Sequence, residues 1–347
     1  MHLSHLVVSL TLILLPSLGG QHLVIAQTPV DQDDVIRIDS DVTNLPFTAI
    51  DKQKRFITTL REEDIRIFED GVPQQLFTFQ RETDRPLALA LLIDVSASEE
   101  RTLPAEKAAA RSFIETVIQS SKDQAAVIPF TGLAYLEQPL TRDVLGIYRA
   151  LERVEVAMPA YLGTGRPISG IPSGPGIKRS PREGSTAIWD AIAVTAGEVL
   201  AQSAEQKQTQ RRRAIILLSD GHDTSSILEI GQAIDRALAA ETVIFAIGIG
   251  DSKYEGVDRG ALRTVAERTG GRAFFPKKEA ELKNVFAEIE QELRTQYLLA
   301  YASSNKKRDG TYRQMRIEVT NPQLQKEQVK VRHRPGYYAK KAAEPNP

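Results

Sequence analysis

The stretch Leu87–Ser98, LALALLIDVSAS, is an apolar run that ends abruptly in an aspartate followed by two serines at alternate positions. Pro86 bounds it on one side and polar residues on the other, so it reads as a fully buried strand of a parallel sheet. Open α/β sheets bind ligands at the carboxyl ends of such strands. Asp94, Ser96 and Ser98 therefore stand where such a fold places its chemistry.

The chain around this run alternates between strand and helix patterns. Glu106–Ser120 carries Ala109, Phe113, Ile114, Val117 and Ile118 on one helical face. Gln124–Phe130 predicts a buried strand, Ala134–Leu140 an edge strand and Arg142–Val156 a helix. Thr186–Gln202, Leu228–Ala240, Arg259–Thr269 and Glu279–Thr295 predict further helices. Between them Ala214–Leu218, Val243–Ile249 and Arg272–Phe275 predict strands. Such βαβ units imply an α/β fold, a doubly wound and mainly parallel sheet with helices on both faces, over about residues 85–296. Residues 158–183, thick with Pro, Gly and Ser, interrupt the pattern as a loop that opens onto Gly184-Ser185-Thr186.

The flanks have a different character. Residues 28–84 contain strand patterns at Val35–Ile38, Phe47–Ile50, Ile65–Phe68 and Gln74–Phe79, with Asp70-Gly71 as a hairpin signal. Residues 297–339 contain strand patterns at Tyr297–Ala302, Arg313–Thr320 and Gln328–Arg334, and 340–347 read as a tail. The two flanks are expected to pair as one β domain.

Leu6–Leu15 is almost wholly apolar, and Val24 and Ala26 sit at the −3 and −1 positions of a cleavage site before Gln27. Residues 1–26 thus predict a secretory signal peptide, although His2 and His5 stand where Lys or Arg is usual. Pro16, Gly19 and Gly20 break the run short of a membrane span. The expectation is a secreted or periplasmic protein with no span in its mature chain. The absence of cysteine rules out disulfides and thiolate metal sites. A net charge of −1 gives no electrostatic argument for nucleic acid.

Three polar stations fall near one sheet edge: Asp94-x-Ser96-x-Ser98, Thr186 at a helix entrance, and Asp220 after the strand Ala214–Leu218. Two carboxylates and three hydroxyls are hard oxygen donors, suited to Mg²⁺, with Mn²⁺ or Ca²⁺ as alternatives. With so few carboxylates the ion stays short of negative charge, so a partner's Asp or Glu becomes an attractive further ligand. Asp190, a helical turn beyond Thr186, reads either as a supporting residue behind the ligands or as a solvated helix position.

These residues and their order resemble the von Willebrand factor type A domain with its metal-ion-dependent adhesion motif. On that resemblance the ligands are Asp94, Ser96, Ser98, Thr186 and Asp220. Thr186–Ile192, Leu217–Gly221 and Val243–Gly250 are similar to the family as well. Phe68–Pro73 and Arg334–Tyr338 resemble a group of secreted bacterial proteins, the VWFA-related acidobacterial type. The implied function is a non-enzymatic, metal-dependent capture of a protein partner's acidic side chain. A metal-stabilised envelope scaffold is the alternative. A metal-assisted hydrolase is a third reading, and it needs His222 or Asp223 as general base, since no nucleophile elbow frames either serine.

Overall fold

Every residue of Leu87–Asp94 is buried, and the strand lies between two parallel neighbours. It is β5 of the chain. Before it come β1 (Val42–Ile50), β2 (Ile65–Glu69), β3 (Val72–Gln74) and β4 (Leu76–Arg81). After it come α1 (Leu103–Val117), β6 (Gln124–Phe130), β7 (Tyr135–Leu136), β8 (Gln138–Thr141), α2 (Val144–Arg153) and β9 (Arg166–Pro167). Next are α3 (Ile188–Val194), β10 (Arg212–Ser219), α4 (Ile230–Ala239), β11 (Thr242–Gly248), α5 (Arg259–Arg268), β12 (Ala273–Phe274) and α6 (Glu279–Arg294). The chain closes with β13 (Tyr297–Ala302), β14 (Tyr312–Val319), α7 (Pro322–Lys326), β15 (Lys330–His333) and β16 (Gly336–Tyr338).

The computed structural model describes residues 42–81, 85–157, 164–168, 185–201, 211–249 and 256–341. All belong to one compact unit, Asp41–Pro347. The expected signal peptide, the strand Val35–Ile38, most of the loop 158–183 and the end of the tail lie outside these residues. No helix among the described residues is long and apolar enough to cross a membrane.

The central sheet runs β12-β11-β10-β5-β6-β8, parallel throughout except for the antiparallel edge strand β8. Because successive side chains of a strand face opposite ways, β5 feeds two cores. Leu87, Leu89, Leu91 and Ile93 pack with α1, α2 and α6, where Phe113 and Phe286 lie 4.9 Å apart between ring centroids. Ala88, Ala90 and Leu92 pack with α3, α4 and α5. Fully burying one such leucine contributes about 1.5–3 kcal/mol. The sheet is doubly wound: the chain leaves β5 towards β6 on one side and later fills β10, β11 and β12 on the other. The order therefore reverses beside β5, which opens a crevice at the carboxyl ends of β5 and β10.

Strands from both flanks pair with each other. Two antiparallel four-stranded sheets, β15-β1-β13-β4 and β16-β14-β2-β3, share a core of Leu45, Phe47, Ile65, Ile67, Tyr297, Leu299, Tyr301 and Met315. Asp70 and Gly71 both take positive φ, +48° and +79°, in the turn that joins β2 to β3. That mirror-image turn matches the twist of the paired strands and explains the Asp-Gly. Within this core the buried Glu69 accepts from Tyr301, Ser303, Tyr337 and Arg313.

Two differences from the sequence expectation bear on the site. The helix expected from Thr186 starts at Ile188, because Thr186 and Ala187 are held outside the helix by main-chain bonds to neighbouring loops. Within the expected loop 158–183, residues 164–168 fold onto β7: β9 pairs with it, while Thr164 and Gly165 donate to Glu137, each at 2.6 Å.

Candidate functional site

Asp94 ends β5 and is fully buried. Its Oδ1 accepts from the Ser96 amide at 3.0 Å and its Oδ2 from the Ser219 hydroxyl at 2.7 Å. The first bond turns the chain out of the strand, and the second fixes the carboxylate from the neighbouring β10. Burial, reinforced by the charge of Asp220, pushes the Asp94 pKa up to about 6 against these two bonds.

Ser96 opens a single helical turn, Ala97–Glu99, that brings Ser96 Oγ and Ser98 Oγ within 3.0 Å of each other. Ser96 is buried and Ser98 exposed, so the hydroxyls lead from the sheet edge to the surface.

Asp220 follows β10. Its side chain accepts from the His222 amide at 2.9 Å, and its carbonyl accepts from the Asp258 amide at 2.8 Å. Gly221 has φ +86°, and a Cβ there would come within 2.9 Å of both the Asp258 carbonyl oxygen and Leu262. The loop passes too close to the start of α5 to carry a side chain at that position.

Thr186 is placed by its main chain. Thr131, at the end of β6, donates its hydroxyl to the Ser185 carbonyl at 2.6 Å and accepts the Ala187 amide on its own carbonyl at 2.8 Å. On the other side the Thr186 carbonyl accepts from the amides of Thr224 and Ser225, and the Thr186 amide donates to Thr224 Oγ1 at 2.8 Å. Since β6 and β10 are the two neighbours of β5, Thr186 bridges loops on both sides of Asp94. The structure thus gathers all five expected residues around one sheet edge.

Sequence reasoning missed two buried acids beside them. Glu99 Oε1 accepts from the Asp220 amide at 3.1 Å, and its Oε2 accepts from the Thr102 hydroxyl at 2.6 Å. Glu106, on α1, is 1% exposed, and neither of its oxygens has a hydrogen-bond partner. The single proton of Thr102 already serves Glu99. Burial first, and then the neighbouring carboxylates, push the pKa values of both glutamates upward. A signal for Glu106 existed: it lies seven residues before Phe113, on the apolar face of its helix. Glu99 had none, since Ser98-Glu99-Glu100-Arg101 reads as a solvated loop.

Asp190 and Asp223 have local duties. Asp190 is buried rather than solvated, and its two oxygens accept from the amides of Ile227 and Leu228. Asp223 accepts from the Ile188 amide at 2.7 Å and from the hydroxyl and amide of Ser226, which holds the start of α3. Both carboxylates brace the loop after β10 against α3.

A divalent cation fits what is present. One oxygen from each of Asp94, Glu99 and Asp220 lies within 4.8 Å of the other two. The leading charges acting on Asp94, Glu99 and Glu106 are those of neighbouring carboxylates: Asp220 on all three, Asp94 on both glutamates and Glu106 on Glu99. Buried carboxylates without a counter-ion are costly, and all the donors here are hard oxygens.

Residues 176–288 match the family model described as von Willebrand factor type A domain. That span contains Thr186 and Asp220, while Asp94, Ser96 and Ser98 precede it. No curated protein matches the chain. Among solved structures, a von Willebrand factor type A protein from Catenulispora acidiphila is 13% identical, with a TM-score of 0.47 over 81% of this chain and 74% of that one. Proximal thread matrix protein 1 from the mussel byssus is 17% identical, with a TM-score of 0.46 over 65% of this chain and 51% of that one. The same mussel protein with a zinc-occupied MIDAS motif is 16% identical, with a TM-score of 0.48 over 65% and 50%. The chain spans about half the length of these mussel proteins. With the family match over residues 176–288 and the sheet order β12-β11-β10-β5-β6-β8, the chain carries a von Willebrand factor type A domain.

Proposed function

We propose that this protein is an exported binding module in which a divalent cation, Mg²⁺ or a close substitute, captures an acidic side chain of a protein partner. Asp94, Ser96, Ser98, Thr186 and Asp220 hold the ion. The observation that carries this reading is the buried Asp94, locked by Ser96 and Ser219, with the like-charged Asp220 as the leading charge acting on it. A bound ion supplies a positive charge at the sheet edge, to which an incoming carboxylate binds.

The residues of this chain prepare that edge. Ser219 sets the Asp94 carboxylate, Thr131 and Thr224 hold the Thr186 segment, and the exposed Ser98 marks the outward side. Binding rather than hydrolysis is favoured because Asp223, one of two bases that hydrolysis could call on, is committed to Ile188 and Ser226. The two serine hydroxyls are also set against each other rather than against a base. Export rests on the apolar segment Leu6–Leu15 and the small residues before Gln27.

The test is selection from a random peptide library on the immobilised protein, with Mg²⁺ and then with EDTA. Peptides enriched in Asp or Glu that are released by EDTA and ignored by Asp94→Ala support the reading. Enrichment indifferent to EDTA and to Asp94→Ala would falsify it.

A further inference from the structure

We propose that Glu99 is a further ligand of the ion, holding it from the interior side, so that this site presents three protein carboxylates rather than two. The inference rests on the metal-binding reading above and adds a residue to it.

Three observations converge on Glu99. It is fully buried, unlike Glu100 beside it. The helical turn Ala97–Glu99 that sets Ser98 outward folds Glu99 inward, and the Asp220 amide fixes its Oε1 at 3.1 Å. One of its oxygens falls within 4.8 Å of oxygens on both Asp94 and Asp220, a span that a single ion of this class can bridge. Each Glu99 oxygen accepts one hydrogen bond, so each retains a lone pair for a metal.

Behind it stands Glu106, buried and without a hydrogen-bond donor, and the leading charge acting on Glu99. A folded interior keeps such groups where something compensates them. With Asp94 and Asp220, Glu99 makes three buried carboxylates around one point, and a divalent ion held there supplies compensating charge to them and to the Glu106 behind.

A third carboxylate changes the order of events. An ion balanced by Asp94, Asp220 and Glu99 stays bound without an acid from outside, so loading with metal precedes the partner. The incoming carboxylate then gains less from the ion alone, and contacts on the surrounding surface carry more of the affinity.

The test is calorimetric titration of Mn²⁺ into the full chain and into Glu99→Gln, with unfolding followed in EDTA. Gln keeps the shape and can still accept from the Asp220 amide. The expected result is a Glu99→Gln protein at least as heat-stable as wild type in EDTA, with Mn²⁺ affinity reduced tenfold or more. Equal affinity in the two proteins overturns this inference alone. Failure of the wild type to bind Mn²⁺ overturns the metal-binding reading and this inference with it. If the variant does not fold, the position of bound manganese in wild-type crystals decides: a Glu99 oxygen bonded to the ion supports the proposal, and one beyond bonding distance refutes it.

Discussion

Ser219 donates its hydroxyl to Asp94 Oδ2 at 2.7 Å and accepts the Gly221 amide at 3.0 Å. The last residue of β10 therefore ties the carboxylate at the end of β5 to the loop that carries Asp220. That hydroxyl joins the ends of two strands distant in sequence, alongside the bond from the Asp220 amide to Glu99.

Ser219→Ala is expected to remove about 1.5–3 kcal/mol of stability, the usual loss for a buried hydrogen bond to a charged group. It should also weaken Mn²⁺ binding by about tenfold, as loss of an outer partner of a metal ligand does. Urea denaturation and calorimetry read the two effects. Unchanged values in both would show that Asp94 is held by other means.

Metal-free protein should lose stability as the pH rises. Asp94, Glu99 and Glu106 all have pKa values raised in the folded state, Asp94 from 3.8 to about 6. The folded chain therefore binds more protons than the unfolded chain above about pH 4, and stability falls with pH there. For Asp94 the loss continues through its folded value of about 6 and ends above it, and for the two glutamates it continues higher. In EDTA the melting temperature should fall from pH 5 to pH 8, and saturating Mg²⁺ should reduce or reverse the trend. A melting temperature in EDTA that climbs over this range would contradict the burial of these acids.

Asp190→Ala should cost about 1–3 kcal/mol for each amide it leaves buried without a partner, since Ile227 and Leu228 both donate to it. Chemical denaturation measures the loss. A neutral substitution would mean that solvent reaches these amides.

Arg313→Ala should destabilise the β-sheet flank by about 3–5 kcal/mol, because it leaves Glu69 buried without its charge partner. Burial works to raise the Glu69 pKa, but the hydroxyls of Ser303, Tyr301 and Tyr337 and the Arg313 guanidinium outweigh it and hold the value below the usual range. That contribution is present above the unfolded pKa and is lost as the pH falls through the folded one. The wild type should therefore lose it in acid, and Arg313→Ala should show a weaker acid dependence in the same denaturation series.

The parts of this structure legible in sequence are those where burial repeats along the chain. Gln124–Phe130 and Tyr297–Ala302 have the predicted bounds because their apolar runs end at polar residues or turns. Thr186 was expected at a helix entrance, but its place outside the helix was not legible, since the bonds that hold it there come from Thr131 and Thr224, far away in sequence. Glu99 stayed hidden for a related reason. A charged residue in a polar run looks solvated until the sheet edge closes over it.

The most direct measurement of the metal site is anomalous diffraction at the manganese edge from crystals grown with Mn²⁺. A peak bounded by Asp94, Ser96, Ser98, Thr186 and Asp220, and absent in Asp94→Ala, is the predicted result. Crystals with no peak there, or with the same peak in Asp94→Ala, would contradict it.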